Sequence, residues 1–234
     1  MRVWLRGLLL VLGASAALKA QAQQAFESPA ASGRSRLERS VPCETLNGFV
    51  ENRGQWPAEV KFFASRGSID ATLLADALVL RPQPDREKQE WLPPVVLRFP
   101  AAQSVEGQDP LPTAHHFILA EGTESYVPGF ERVVYRGIAP GIDLVVRFDG
   151  QWFAYDLQVA PGAALSALAL SVAGVGSCLV PDTGCLAMDT PSGRVEQRIG
   201  ASWEIDAGGA TWARKSAFRL IDSAPGKVTF GFEV

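Results

Sequence analysis

Asp143 and Asp156 are the residues whose types and spacing come nearest to a chemical site in this sequence. They lie in the segment IDLVVRFDGQWFAYDLQV, where the dipeptide Asp149-Gly150 predicts a two-residue type I′ β-turn. If that dipeptide forms the turn, the flanking strands pair so that the two aspartates face each other across a hairpin. Facing carboxylates repel, so the pair requires a nearby arginine, a bound cation such as calcium, or a raised pKa on one acid.

Arginine pairing is the favoured explanation for these acids, because Arg132, Arg136 and Arg147 are close to both of them in the sequence. A metal site on Asp143 and Asp156 is the second alternative, and a pair of catalytic carboxylates of the glycosidase kind is the third. The same register gives the hairpin an apolar face that is suited to a core. That face is predicted to consist of Ile142, Leu144, Val146, Phe153, Tyr155 and Leu157.

A polar loop, NRGQWP at residues 52–57, is the second place where a ligand could bind. In it, Trp56 could offer a platform for a sugar ring or a partner, and Arg53 and Gln55 could add polar contacts. A loop tryptophan more often closes the end of a β-sandwich core, and we favour that interpretation for Trp56.

His115 and His116 are the only histidines of the sequence, and neither belongs to a motif for metal binding or catalysis. Adjacent residues of a strand point to opposite faces, so the two imidazoles do not readily share one metal. The sequence also has no HExxH motif and no GxSxG nucleophile motif. It therefore predicts no catalytic residue, no cofactor and a protein that is not an enzyme.

Three cysteines, Cys43, Cys178 and Cys185, bear on the redox state of the protein. Cys178 and Cys185 flank the turn-forming residues PDTG, so we expect a disulfide between them across a hairpin. Cys43 is then left over, as a free thiol or an intermolecular link.

Residues 1–22 have the pattern of a secretory signal peptide. Arg2 and Arg6 precede an apolar run at residues 7–18, and the segment AQA at residues 20–22 is a cleavage site of the A-x-A kind. The apolar run is short for a transmembrane helix, and no later segment is apolar for long enough to span a membrane. We therefore expect export to the periplasm, the cell surface or the medium.

Residues 23–40, QQAFESPAASGRSRLERS, are small and polar, which predicts a disordered tether. Loss of the signal peptide removes Arg2, Arg6 and Lys19 and changes the formal charge from −3 to −6. An acidic chain without a basic cluster argues against binding to nucleic acid or to anionic lipid.

Residues 41–234 contain many short apolar or alternating runs that are separated by Gly, Pro, Asp and Asn. This pattern predicts a mostly β domain, with an antiparallel β-sandwich-like architecture of many short strands. At most one or two short helices are expected, and residues 161–168 are the main helix candidate.

Several stretches match one family of domains in the same order along the chain. They are FVENRGQWP at 49–57, VKFFA at 60–64, VEGQDPLP at 105–112, YRGIAPGIDL at 135–144, YDLQVAPGA at 155–163 and VTFGFEV at 228–234. Together they resemble the N-terminal domain of bacterial secreted and surface proteins that carry SBBP (β-propeller) repeats, although the repeats are absent here. That domain is of unknown function, and the resemblance implies an all-β, surface-exposed module without assigned catalytic residues.

The residues and the resemblance together lead us to expect a non-catalytic, exported or cell-surface interaction module that binds an unknown protein or glycan. A carbohydrate-binding module that uses Trp56, Trp91 or Trp203 is the alternative hypothesis. A secreted glycan hydrolase that uses Asp143 and Asp156 is the third hypothesis.

Overall fold

The computed structural model describes residues 2–11, 46–83, 91–119, 122, 124–182, 184–191 and 193–234. The predicted tether at residues 23–40 and the cysteine at position 43 lie outside the described residues. Within the described residues, seventeen strands form one sheet. Their bounds are β1 Arg2–Val11, β2 Phe49–Glu51, β3 Phe62–Arg66, β4 Ile69–Leu73, β5 Ala77–Pro82, β6 Val95–Arg98, β7 Ser104–Ile118, β8 Glu124–Ala139, β9 Ile142–Asp149, β10 Trp152–Val159, β11 Leu170–Val175, β12 Cys178–Asp182, β13 Cys185–Thr190, β14 Gly193–Ile205, β15 Thr211–Arg214, β16 Ala217–Ala224 and β17 Gly226–Glu233.

The sheet runs in the order β16-β17-β11-β6-β5-β4-β3-β2-β8-β9-β10-β1-β14-β13-β12, with β7 added to β8 and β15 added to β14. The strand pairs are antiparallel throughout the described residues. The predicted mostly β, antiparallel fold is therefore confirmed. The predicted helix at residues 161–168 is reduced to one 3₁₀ turn, Leu165–Ala167.

Alternation of apolar and polar residues explains why these segments are strands. In β4, Ile69, Ala71 and Leu73 are buried, whereas the residues between them are half-buried. The inward faces meet in one large core, where Phe49 and Phe230 are fully buried. A smaller core of Leu46, Val50 and Val127 lies at one side of the domain.

The hairpin of β9 and β10 has the predicted apolar face but a different turn. Asp149 pairs with Trp152, so the turn residues are Gly150 and Gln151 instead of Asp149 and Gly150. Gly150 has a φ of +62° and Gln151 does not have a positive φ, which is typical of a type II′ turn and not of type I′.

This change moves each cross-strand pair by one position on both strands and therefore keeps the two faces. The predicted core face is confirmed, because its six residues are at most 3 % exposed: Ile142, Leu144, Val146, Phe153, Tyr155 and Leu157. The predicted pairing of Asp143 with Asp156 is wrong, since Asp143 pairs with Gln158 and Asp156 pairs with Val145.

Strand β1 consists of residues that the sequence assigns to a secretory signal peptide. It lies between β10 and β14 and is antiparallel to both. Its segment, RVWLRGLLLV, is apolar enough to serve as the core of a signal peptide and also as an inner strand. A strand here was not predicted, because the sequence assigns these residues to a signal peptide and the apolar run that starts at Gly7 carries no strand periodicity.

Strands β7 and β8 form the longest hairpin of the domain. Pro110 and Pro112 lie within β7, where proline normally breaks the hydrogen-bond ladder of a strand. The structure accommodates both prolines where the pairing shifts between Pro110 and Ala114. Past this irregularity the hairpin continues to Ile118 and Glu124, and its end carries several exposed apolar residues.

Candidate functional site

Asp143, the first candidate acid, is bonded to arginine and to the backbone. Arg136 donates from Nη1 to Oδ2 of Asp143 at 2.8 Å, and the backbone N–H of Gly137 donates to Oδ1 at 2.7 Å. Gly137 has a φ of +62°, a left-handed conformation that favours glycine and that turns its N–H toward the carboxylate. Both oxygens of Asp143 are therefore used within the β8–β9 framework.

Asp156, the second candidate acid, is held by Arg147 across the hairpin. Arg147 donates from Nε to Oδ2 at 2.9 Å and from Nη2 to Oδ1 at 3.3 Å, which is a two-pronged contact. The side chain of Asp156 is only 6 % exposed and that of Arg147 is 18 % exposed. The hydrogen bond to Asp156 raises the pKa of Arg147, because the carboxylate stabilises the charged guanidinium.

The arginine pairing that the sequence favours is therefore what the structure contains, through Arg136 for one aspartate and Arg147 for the other. No cluster of three or more His, Cys, Asp or Glu side chains within the described ranges is placed to hold a metal. The two aspartates also do not share a position opposite each other. This arrangement can fix the hairpin, but it does not bring two free carboxylates to one point.

The loop NRGQWP is organised by Asn52, which the sequence did not single out. The amide nitrogen of Asn52 donates to the carbonyl oxygens of Trp56, Pro57 and Val60 at 2.8–3.0 Å. Its side-chain oxygen accepts from the backbone N–H groups of Gly54 at 3.0 Å and Trp56 at 3.1 Å. A single side chain thus contacts five backbone groups, with its two N–H hydrogens shared among the three carbonyl oxygens, and such bonding is the usual role of asparagine in a tight loop.

The other residues of this loop that were candidates for ligand binding have structural contacts. Trp56 stacks on Phe63, with ring centroids 5.1 Å apart, and meets Phe117 edge-on at 5.6 Å. The favoured interpretation of Trp56 as a plug agrees with this packing against the smaller core. Arg53 bonds Glu51 at 3.2 Å, and Gln55 accepts from the backbone N–H of Arg53 and donates to the carbonyl of Glu51.

The predicted disulfide between Cys178 and Cys185 is not formed. The β12–β13 hairpin aligns Cys178 with Met188 and Asp182 with Cys185, so the two cysteines are not cross-strand partners. The prediction was wrong because Asp182 already pairs with Cys185 at the turn, so Cys178, four residues earlier on β12, lies opposite Met188 on β13. Burial raises the pKa of the Cys178 thiol, and the electrostatic effect of the neighbouring Cys185 raises it further.

His115 and His116 contact different parts of the domain, as the strand geometry predicts. His115 Nε2 lies 3.0 Å from the carbonyl oxygen of Asn47. His116 stacks on Tyr126, with ring centroids 4.6 Å apart, and lies 3.4 Å from Glu124. These contacts belong to opposite sides of β7 and do not bring the two imidazoles to a common ligand.

A cleft of about 650 Å³ lies beside β14 and the connection from β15 to β16. Charged and hydroxyl side chains line it, among them Arg214, Lys215, Ser216 and Glu233. Arg214 is paired with Glu204 on β14. Among the described residues that line the cleft, no nucleophile is paired with a base in the way that catalysis requires.

A buried polar contact between Tyr155 and Gln197 joins two strands that are not neighbours. Gln197 donates from Nε2 to the Tyr155 hydroxyl, across the position of β1. Gly7 of β1 pairs with Tyr155, and because glycine has no side chain the tyrosine ring has room to cross. Both residues are fully buried, and within the described part of the chain the Gln197 Oε1 atom has no hydrogen-bond partner.

Three comparisons with known proteins bear on this architecture. Residues 49–234 match the model of one family, whose description is Domain of unknown function (DUF7948). No match was found among the curated proteins or among the solved structures. In the described residues, no helix is both long enough and apolar enough to cross a membrane.

Proposed function

The chain belongs to the family described as Domain of unknown function (DUF7948), and on that premise we propose that it is an exported, non-catalytic domain that binds a partner. The observation that carries this proposal is the bonding of the candidate acids. Asp143 and Asp156 are each engaged by an arginine, at 2.8 and 2.9 Å. Acid–base catalysis requires a carboxyl group that is open to a substrate, and these two are committed to the framework.

The amino-terminal sequence supports the export part of the proposal. Arg2, Arg6, the apolar run and the A-x-A segment follow the order of a secretory signal peptide. Edman sequencing or mass spectrometry of protein from the periplasm or the medium is expected to give an amino terminus at Gln23. An intact Met1 on cytosolic protein would contradict export.

Exposed apolar residues support binding as the activity. At the end of the β7–β8 hairpin, Ile118 is 72 % exposed and Tyr126 is 62 % exposed. Large apolar side chains that face solvent together are typical of surfaces that meet a partner.

A test of the non-catalytic assignment uses a panel of polysaccharides, peptides and esters. The processed protein is expected to release no product above the background given by a heat-denatured sample. Turnover that survives purification and disappears in Asp143→Asn or Asp156→Asn would contradict the proposal and favour the hydrolase hypothesis.

A carbohydrate-binding function is a second candidate, and the exposure of Trp91 favours it. This ring is 43 % exposed, with the Arg81 guanidinium 5.6 Å from its centroid. A glycan array that shows binding by the wild type and loss of binding in Trp91→Ala would establish this function. Trp56→Phe is the matched control, because Trp56 packs inside the domain.

A further inference from the structure

Strand β1 is the only strand of the described residues that joins β10 to β14 by hydrogen bonds. Val3 to Leu9 pair with β10, and Arg2 to Val11 pair with β14. Both neighbours are antiparallel to β1 and therefore parallel to each other. Removal of β1 leaves a gap one strand wide, which we call the β10–β14 slot.

The β10 wall of the β10–β14 slot is poorly suited to water. In β10, five consecutive residues are at most 4 % exposed when the gap is filled: Phe153, Ala154, Tyr155, Asp156 and Leu157. A strand that is apolar on both faces belongs in the interior of a sheet. Loss of β1 leaves backbone N–H and C=O groups of β10 without partners, which is costly and makes the edge receptive to another strand.

The strand that fills the slot is part of the predicted signal peptide, so the following inference rests on the export proposed above. We infer that removal of the signal peptide opens the β10–β14 slot, and that the exported domain takes up an extended, mainly apolar strand of a partner polypeptide there. This is β-strand addition, in which backbone hydrogen bonds provide affinity and side-chain positions provide specificity.

Residues 23–234 contain no apolar strand that is left over from the described sheet, and we therefore assign the slot to a partner polypeptide. The segment nearest to the slot in sequence, residues 23–40, is polar and rich in Ser, Arg and Glu. A second processed copy lacks the same residues 1–22. The strands from β2 to β17 already have places in the sheet.

Two positions in the slot define the partner more closely. The residue that pairs with Tyr155 must be small, because the tyrosine ring crosses at that point to reach Gln197. The residue that pairs with Gln197 is Leu9 in β1, which has no side-chain donor. A partner with Ser or Thr at this position would satisfy the buried Gln197 Oε1, which β1 leaves without a hydrogen bond.

The test measures binding of a synthetic peptide, RVWLRGLLLV followed by two lysines, to the processed protein isolated after export of the full-length precursor. Binding is expected, with slower amide exchange in β10 and β14 when the peptide is added. The unprocessed Ala22→Phe variant, in which a bulky residue blocks the A-x-A site, is the matched control and is expected not to bind because β1 fills the slot.

Peptide variants test the register of the added strand. The peptide with Gly7→Leu is expected to bind at least about tenfold more weakly, because a larger side chain overpacks this position. The peptide with an N-methylated Leu8 amide is expected to lose affinity about tenfold, because one buried hydrogen bond is lost. Leu9→Thr is expected to bind about fivefold more tightly than the isosteric Leu9→Val, because only threonine donates to Gln197 Oε1. Leu8→Val should change little.

Several results would overturn the inference. The first is no binding of the peptide, and the second is peptide binding that neither Gly7→Leu nor N-methylation weakens. The third is slower amide exchange on peptide addition in residues outside β10 and β14. Slow exchange of β10 in the processed monomer without peptide would mean that the tether or a direct β10–β14 pairing closes the slot. A dimer in size-exclusion chromatography with slow β10 exchange would assign the slot to a second copy. The amino terminus of the same sample separates these failures from a failure of export, because an intact Met1 contradicts the proposed function itself.

Discussion

Replacement of Asp156 by asparagine is expected to destabilise the domain strongly while leaving its response to calcium unchanged. Asp156 is 4 % exposed and accepts two hydrogen bonds from Arg147. The asparagine has almost the same shape but no charge, and its amide nitrogen cannot accept from the guanidinium. Arg147 would then remain largely buried with its principal counter-charge removed.

The expected magnitude follows from the burial of both partners. Breaking a buried ion pair by removing one partner costs about 3–5 kcal/mol. Arg147 keeps a second acid, since Asp149 Oδ2 lies 3.6 Å from Nη1, and its side chain is 18 % exposed. We therefore place the loss for Asp156→Asn at about 2–3 kcal/mol, below the full range for a wholly buried pair.

Urea unfolding of the unprocessed protein, in which β1 pairs beside Asp156, measures this loss by circular dichroism. Asp149→Asn is the matched control, because Asp149 is exposed and a surface substitution usually changes stability by less than about 0.5 kcal/mol. The double variant Arg147→Met with Asp156→Asn should recover much of the loss, because no unpaired charge then remains buried. If EDTA instead lowers the melting temperature of the wild type and leaves that of Asp156→Asn unchanged, a cation and not Arg147 balances the carboxylate, and the reasoning fails.

Three further expectations concern the core, the loop and the buried tyrosines. Leu144→Ala should lose about 2–5 kcal/mol of unfolding free energy in urea, because Leu144 is fully buried, whereas the half-exposed Leu220→Ala should stay near wild type. Asn52→Ala should lose about 2–4 kcal/mol, since five backbone groups lose a partner, and faster proteolysis within residues 52–60 would locate the damage. Burial raises the pKa of Tyr135 and Tyr155, so the folded state keeps both phenolic protons at a pH where the unfolded chain loses them. The free energy of unfolding is therefore unaffected by these groups below the unfolded-state pKa of about 10 and decreases as the pH rises above it. In an alkaline titration of the unprocessed protein, where β1 pairs beside Tyr155, phenolate absorbance from these two should appear only together with the loss of circular dichroism, and its appearance in the folded protein would contradict their burial.

The apolar faces of the β9–β10 hairpin were predictable, but its pairs were not. Side-chain alternation has a period of two, so a shift of one position on both strands leaves every residue on its original face. The pattern therefore fixes that Leu144 and Tyr155 are buried without fixing which residues face each other. The turn type decided the pairs, and Gly150 alone adopts the positive φ there, which moves the turn by one residue.

The cysteines and β7 show where local irregularities defeat sequence patterns. Cys178 and Cys185 would be cross-strand partners only if the hairpin turned at residues 181–182, whereas Asp182 pairs directly with Cys185 and Cys178 lies opposite Met188. Proline in β7 obscures a long strand because it removes backbone donors, yet a strand irregularity at Pro110 accommodates it. The residue types alone indicate neither where the β12–β13 hairpin turns nor where the pairing of β7 with β8 becomes irregular.

Contacts between distant segments account for the parts of the candidate sites that the sequence did not indicate. The arginine pairing of Asp143 and Asp156 was predictable, because both partners lie within the same run of strands. The Tyr155–Gln197 contact joins residues 42 positions apart across a strand from the amino terminus. Gly7 is the only local hint of it, and its meaning depends on the pairing of β1 with Tyr155.

The central claim, that export leaves a receptive gap in the sheet, is tested most directly by amide hydrogen exchange of β10 without any added peptide. The measurement compares the processed protein with the unprocessed Ala22→Phe variant, and it follows the amides of Phe153 to Val159 that point away from β9. These amides are expected to exchange slowly in the unprocessed variant, where β1 accepts their hydrogen bonds, and quickly in the processed protein. Equally slow exchange in both forms would contradict the claim, because the edge of β10 would then be closed after removal of the signal peptide.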